Sequence, residues 1–130
     1  MTFLDTSGLV ALFDGKDGHH ASARRTWKRI RISPERLVLT NLIIVETVTL
    51  LRRRAGFDVA QRVGERLTCG AVGEVVHVDA RLLDAGWMRF EQYRDRQLSL
   101  TDCASFAVMH ARGITRAFAY DDDFRAAGFV

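Results

Sequence analysis

Four short apolar runs recur along the chain with helix-length segments between them: Thr2-Phe3-Leu4, Leu37-Val38-Leu39-Thr40, Val75-Val76-His77-Val78 and Ala117-Phe118-Ala119-Tyr120. Apolar runs of this length, rich in Val, Leu and Phe, read as buried strands. The segments between them are too long for hairpins and carry helical periodicity, so successive strands are joined by crossovers and run parallel. The pattern predicts a three-layer α/β/α fold with a central, mainly parallel sheet of four to five strands. At 130 residues, with no repeat, linker or low-complexity stretch, residues 1–130 read as a single domain.

The connecting segments carry start and stop signals. A first helix is predicted from about Ser7 to Phe13, followed by the turn Asp14-Gly15-Lys16-Asp17-Gly18. The next, near His20 to Ile30, puts Ala23, Trp27 and Ile30 on one face. Ser33-Pro34-Glu35 is a turn. Asn41 reads as the N-cap of a helix that carries Glu46 and ends near Ala55-Gly56. Asp58 reads as the cap of another, with Val59, Val63 and Leu67 at helical spacing. After the third strand, Leu83, Trp87 and Phe90 fall in register on a helix and, with Trp27 and Phe106, occupy core spacings. Ser99-x-x-Asp102 is a capping-box pattern and Gly113 a stop signal. A last short helix is expected to end near Gly128. The ending Ala127-Gly128-Phe129-Val130 reads as the approach to a further strand, with more residues expected beyond Val130.

Hydrophobic and charged fractions of 48% and 27% are those of a globular protein. No apolar run approaches the roughly 20 residues of a membrane span, and the N-terminus lacks a signal-peptide pattern, so a cytoplasmic location is expected. Cys69 and Cys103 form neither a disulfide framework nor a zinc motif, and His19, His20, His77 and His110 have no metal-site spacing. A pI of 9.3 with a net charge of +3 points toward anionic partners. Arg24, Arg25, Lys28, Arg29 and Arg31 crowd one helix, and Arg52, Arg53 and Arg54 close another.

Against this basic background one acid stands out. Glu46 is the only acid in the apolar run Leu42–Leu51, and a bare carboxylate there costs several kcal/mol unless solvated, paired or bound to a cation. Asp5 follows the first strand, Asp121 follows the fourth, and Asp102 lies in the first turn of the helix before the fourth. In parallel sheets ligands bind beyond the carboxyl ends of the strands. All four acids are expected at that edge. Converging carboxylates suit a hard divalent cation such as Mg²⁺, which takes oxygen ligands, and a cation so held can activate water and steady a phosphodiester's leaving oxygen. Each acid also has a purely structural use: Asp5 and Asp102 as helix caps, and Asp121-Asp122-Asp123 as a solvated helix start.

Asp5-Thr6-Ser7, Thr40-Asn41…Glu46, Leu98-Ser99-Leu100-Thr101-Asp102 and Ala119-Tyr120-Asp121-Asp122-Asp123-Phe124, in this order and spacing, resemble the PIN-domain family, and chain length and layout resemble its VapC toxins from bacterial toxin–antitoxin pairs. Asp17-x-x-His20-x-x-Ala23 is similar to a recurring structural element of that group. The resemblance implies a Mg²⁺- or Mn²⁺-dependent endoribonuclease that cleaves structured RNA, a tRNA or a ribosomal RNA loop, to stop translation. It implies catalytic roles for Asp5, Glu46, Asp102 and Asp121: Asp5 and Asp102 as the main metal ligands, Asp121 as completing the ligand set or binding a second ion, and Glu46 as acting through water or positioning the nucleophile. Asp123 would be an auxiliary acid, and Thr6 and Thr101 would orient carboxylates. Arg24, Arg25, Lys28, Arg29 and Arg53 would track RNA phosphates. A cognate antitoxin protein and a homodimer are implied as partners, with the apolar face of the Glu46 helix or its neighbour as the contact. One departure is that many members carry Ser or Thr two positions before the fourth acid, where this chain has Ala119, which supplies no hydroxyl. Alternatives are a PIN nuclease of RNA processing, a phosphatase-like enzyme, and a catalytically silent RNA-binding module. The phosphatase is disfavoured because Asp5-Thr6-Ser7 lacks the second Asp of a D-x-D pattern.

Overall fold

A computed structural model of the chain describes residues 1–126. The elements run β1 (Thr2–Leu4), α1 (Thr6–Phe13), α2 (His20–Ile32), β2 (Leu37–Thr40), α3 (Asn41–Ala55), α4 (Phe57–Thr68), β3 (Glu74–Val76), α5 (Ala80–Gln92), α6 (Leu100–Arg112), β4 (Arg116–Phe118) and α7 (Asp123–Ala126). The expected helix end at Gly128 and the approach to a further strand lie outside the described residues.

The strands form one parallel sheet in the order β3-β2-β1-β4, as the alternation of strand and helix requires. Phe3 stands between Val38 and Ala117, which fixes the register of the three strands at the centre. Neighbouring strand residues point to opposite faces, yet Phe3, Leu4, Val38 and Leu39 are all fully buried. Both faces are therefore covered by helices, giving the expected α/β/α layers. α6 is buried without interruption from Cys103 to Met109, which makes it the central helix of its layer. The order reverses at β1: β2 and β3 lie on one side and β4 on the other. The crevice between the carboxyl ends of β1 and β4 is thus the topological switch point, where such sheets bind ligands.

Several local expectations shift. Thr40, not Asn41, caps α3: its Oγ1 accepts from the Ile43 amide at 3.2 Å. A β-branched Thr can serve as the last strand residue and the cap together, which frees the Asn41 Oδ1 to accept from the Val78 amide at 2.8 Å. Asp58 is not the cap of α4; the helix starts after Gly56, whose φ of 94° suits glycine, and Asp58 sits in the first turn. On α5, Leu83, Trp87 and Phe90 are exposed rather than core. Gly86 faces the core instead, so close to α6 that an added Cβ would lie 2.9 Å from the Ala104 Cα. Trp27 is half-buried against Phe118, and Phe106 is in the core as expected. β3 ends at Val76, which leaves His77 outside it and exposed. The apolar face of α3 (Ile43, Ile44, Thr47 and Leu51) is buried, and Val48 meets Gly64 of α4.

Candidate active site

Asp5 is the first residue past β1 and caps α1. Its Oδ2 accepts from the Ser7 amide at 3.1 Å and from the Ser7 hydroxyl at 2.6 Å. The Ser7 hydroxyl in turn accepts from the Tyr120 amide at 2.9 Å, so one side chain ties the end of β1 to the segment following β4. The other carboxylate oxygen of Asp5, Oδ1, is buried and has no hydrogen-bond partner. Burial pushes the Asp5 carboxyl up to about 7. The Ser7 hydrogen bonds oppose that rise, and the charges of Asp121 and Asp102 add to it.

Asp102 makes the full capping box at the start of α6: Ser99 Oγ accepts from its amide at 3.0 Å, and its own Oδ2 accepts from the Ser99 amide at 3.1 Å. Its carboxyl is held above the usual range by burial first, against the Ser99 hydrogen bonds, with the charges of Glu46 and Asp123 adding to the rise. Asp121 follows β4 in an exposed loop, and its carboxyl is raised to about 6 by desolvation, then by the charges of Asp102 and Asp123. The Asp123 backbone N–H donates to Asp121 and partly offsets this. Glu46 lies half-buried on α3. It lines a cavity of about 300 Å³ together with Asp5 and Asp121, and also a neighbouring hollow with Thr101. Asp102 is absent from the lining of the first cavity; its tie to the cluster is the field it shares with the other acids.

Among the described residues, none of the four acids is ion-paired with Lys or Arg. None of these residues provides a ready-made group of three His, Cys, Asp or Glu side chains for one ion. Like charges without a counter-ion repel, and Asp5 and Asp102 are each fastened to a serine. The donor set nonetheless suits a hard cation. It is all oxygen, it leaves a buried Asp5 oxygen without a partner, and Mg²⁺ needs only one or two carboxylates while keeping waters.

The expected auxiliary residues divide. Thr6 does not orient a carboxylate: its buried Oγ1 has no partner, and Ser7 anchors Asp5 instead. The helix's first turn directs the residue two after the cap back at it, a signal present in Asp5-Thr6-Ser7 that the chain's other hydroxyls obscured. Ser7 also ties down the loop carrying Ala119, where a hydroxyl is missing. Thr101 faces the hollow beside Glu46, and Asp123 opens α7 close enough for its charge to raise its acidic neighbours. Arg24, Arg25, Lys28 and Arg29 are exposed on α2, and Arg53 on α3; none lines the acidic cavity. Arg54 does line it, paired with Asp17 at 3.8 Å. Glu46, Leu50 and Arg54 follow one helix face at four-residue steps, so the spacing contained that residue too.

A PIN-domain family model matches residues 2–130. The chain belongs to the PIN-domain family. Within it, the VapC toxins are its kin: it is 38% identical over 130 residues, all of this chain and 96% of the relative, to the 23S rRNA-specific endonuclease VapC20 of Mycobacterium tuberculosis strain H37Rv. Ribonuclease VapC26 of the same strain is 27% identical over 105 residues, covering 81% of this chain and 75% of VapC26. Among solved structures, the crystal structure of M. tuberculosis VapC20, a sarcin–ricin loop cleaving toxin, superposes with a TM-score of 0.92 at 37% identity, over all of this chain and 97% of that one. The α/β/α architecture and the VapC resemblance read from the sequence are both borne out. No helix of the described residues is long and apolar enough to cross a membrane.

Proposed function

We propose that this VapC-type PIN domain is a Mg²⁺- or Mn²⁺-dependent endoribonuclease that cuts an exposed loop of structured RNA, stops translation and is neutralised by a cognate antitoxin. The observation that carries this reading is the partnerless buried oxygen of Asp5, set among acids that no arginine or lysine neutralises within the described residues. Asp5, Asp102 and Asp121 would hold the cation. Bound there, it would supply a more acidic water and stabilise charge on the leaving oxygen. Ser7 and Ser99 orient Asp5 and Asp102 through the oxygens they hold. Glu46, which lines the same cavity, would position the attacking water and accept its proton. The Asp5 carboxyl, raised to about 7 by burial, is partly protonated near neutrality, and a cation bound there would displace that proton.

The named activity of VapC20 supports a ribosomal RNA loop over a tRNA as the target. Exposed Arg24, Arg25, Lys28, Arg29 and Arg53 would contact phosphates, so binding weakens steeply with salt. A loop is read by shape and unstacked bases rather than by a duplex groove. Kinship also supports an antitoxin whose arginine enters the acid pocket in competition with the cation, and a homodimer in the cytoplasm. The test is Mn²⁺-dependent cleavage of total RNA, with 5′ ends mapped, by wild type and Asp5→Asn. Metal-dependent cuts made by wild type alone are expected. Equal cleavage by both proteins, or by neither with any divalent ion, refutes the proposal, and phosphate release from small phosphomonoesters would favour a phosphatase.

A further inference from the structure

Beside the acids, the same cavity has a wall of different chemistry. The His19 ring lies on the Tyr120 ring with centroids 4.5 Å apart and planes 19° from parallel. Tyr120 is clamped: its hydroxyl is hydrogen-bonded to Ser22 Oγ at 2.9 Å, its amide donates to Ser7, and its ring meets Phe118 edge-on. His19 is the outer ring of the stack and is exposed. Asp17 organises this wall with both its oxygens. Oδ1 accepts from the His19 amide at 2.8 Å, fixing the turn that displays the ring. Oδ2 stands 3.8 Å from Arg54 Nη1, too far for a hydrogen bond, and Arg54 is half-exposed. Arg54 is thus held loosely at the cavity, where a phosphate oxygen could win it from Asp17. Among the described residues it is the one Lys or Arg lining that cavity.

We propose that His19, Tyr120, Arg54 and Asp17 form a nucleotide subsite flanking the carboxylates, taking an unpaired RNA base on the outer face of His19 and its phosphate on Arg54. The inference rests on the ribonuclease reading and specifies how that site selects a nucleotide. Splayed-out bases in RNA loops stack on aromatic and imidazole rings, and a guanidinium pairs with phosphate. A flat ring stack, a displaceable guanidinium and hard-cation ligands in one cavity match a base, its phosphate and a scissile bond. Asp17 is a positioning residue.

The test uses Asp5→Asn protein, expected to bind without cutting, and a hairpin RNA bearing the sarcin–ricin loop with 2-aminopurine at successive loop positions. Stacking quenches this fluorophore, and one loop position is expected to be quenched on binding. Adding His19→Ala abolishes that quench and weakens binding by about ten-fold, whereas His19→Phe, which keeps a ring, retains it. Arg54→Gln weakens binding and lowers the salt slope by about one phosphate contact. Asp17→Asn lowers both signals partially. No quenched position, or the same quench with His19→Ala, overturns the subsite. Cleavage of total RNA separates the two readings. If otherwise wild-type protein carrying His19→Ala cuts as fast as wild type, the subsite falls and the nuclease stands; if wild type fails to cut, the nuclease falls whatever the quenching shows.

Discussion

Asp5→Asn should make the protein more stable, and by an amount that depends on pH. In the fold Asp5 is 1% exposed, and its carboxyl is raised from 3.8 to about 7. A group whose folded pKa lies above its unfolded value binds a proton more tightly in the native state. Its stabilising contribution is complete below about pH 4, falls as pH rises, and is lost above about pH 7. At 1.36 kcal/mol for each pH unit, the ionised side chain costs about 4 kcal/mol at pH 8 as an upper bound. Relaxation and water entry reduce this, and about 2–4 kcal/mol is the expected gain on removing the charge. Asn keeps an acceptor for Ser7 and carries no charge. For a domain of this size each kcal/mol moves the melting temperature by roughly 3–5 °C, so the variant should melt on the order of 10 °C higher at pH 8. The assay is thermal or urea unfolding of both proteins in chelator from pH 4 to pH 9. The gap should be small at pH 4, open through pH 7 and stay flat above. A gap that does not change with pH, or a variant less stable than wild type at pH 8, refutes the assignment of Asp5 as a buried, unneutralised carboxylate. Adding Mn²⁺ should raise the melting point of wild type and not of Asp5→Asn.

Ser7→Ala strips Asp5 of its hydroxyl donor and leaves the Tyr120 amide without its acceptor; chemical denaturation should show a loss of about 1–3 kcal/mol. Because the Ser7 hydrogen bonds hold the Asp5 carboxyl down, the acid limb of the cleavage–pH profile should also move to higher pH. Ser99→Ala removes half the capping box of α6 and should cost about 1 kcal/mol in urea unfolding, with slower cleavage from a less fixed Asp102. Gly86→Val forces side-chain atoms against the Ala104 backbone and should lower stability by roughly 1–3 kcal/mol in the same assay, with the metal dependence of cleavage unchanged.

The architecture was legible because its cause is local. Apolar runs too short for helices, separated by segments with helical periodicity, leave a parallel sheet as the main solution, and acids just past β1 and β4 must then meet at one edge. What was not legible depended on contacts between elements. On α5 the stripe Leu83–Trp87–Phe90 and the neighbouring stripe through Leu82 and Gly86 both repeat at helical spacing. Only the close approach of Gly86 to Ala104 decides which faces inward. Thr40 and Asn41 are both good caps, and the end of β2 chose between them. Arg53 and Arg54 are adjacent and alike in type, yet a step of about 100° around α3 separates a residue on open surface from one at the acid cavity. His19 and Tyr120 are far apart in sequence, and nothing in either segment announces their stacking.

The cap and the ligand readings of the acids, opposed in sequence, are compatible in space. A carboxylate has two oxygens, and a helix N-terminus uses one. Asp5 gives Oδ2 to both Ser7 donors and keeps Oδ1 clear. Asp102 gives Oδ2 to the Ser99 amide. Capping therefore fixes each side chain's direction, and its donors favour the ionised form that a cation requires, against the burial that disfavours it. The positive ends of α1 and α6 act in the same sense. Glu46 serves no cap, and Asp121 accepts only from the Asp123 amide at the start of the short α7. One lies within a helix beside two hollows and the other in an exposed loop, so their side chains are freer to adjust. Two acids held rigid and two left adjustable make a site that can close on an ion although no three acids among the described residues stand ready for one. Helix capping supplies the rigidity that the binding of a cation would otherwise have to impose on flexible side chains.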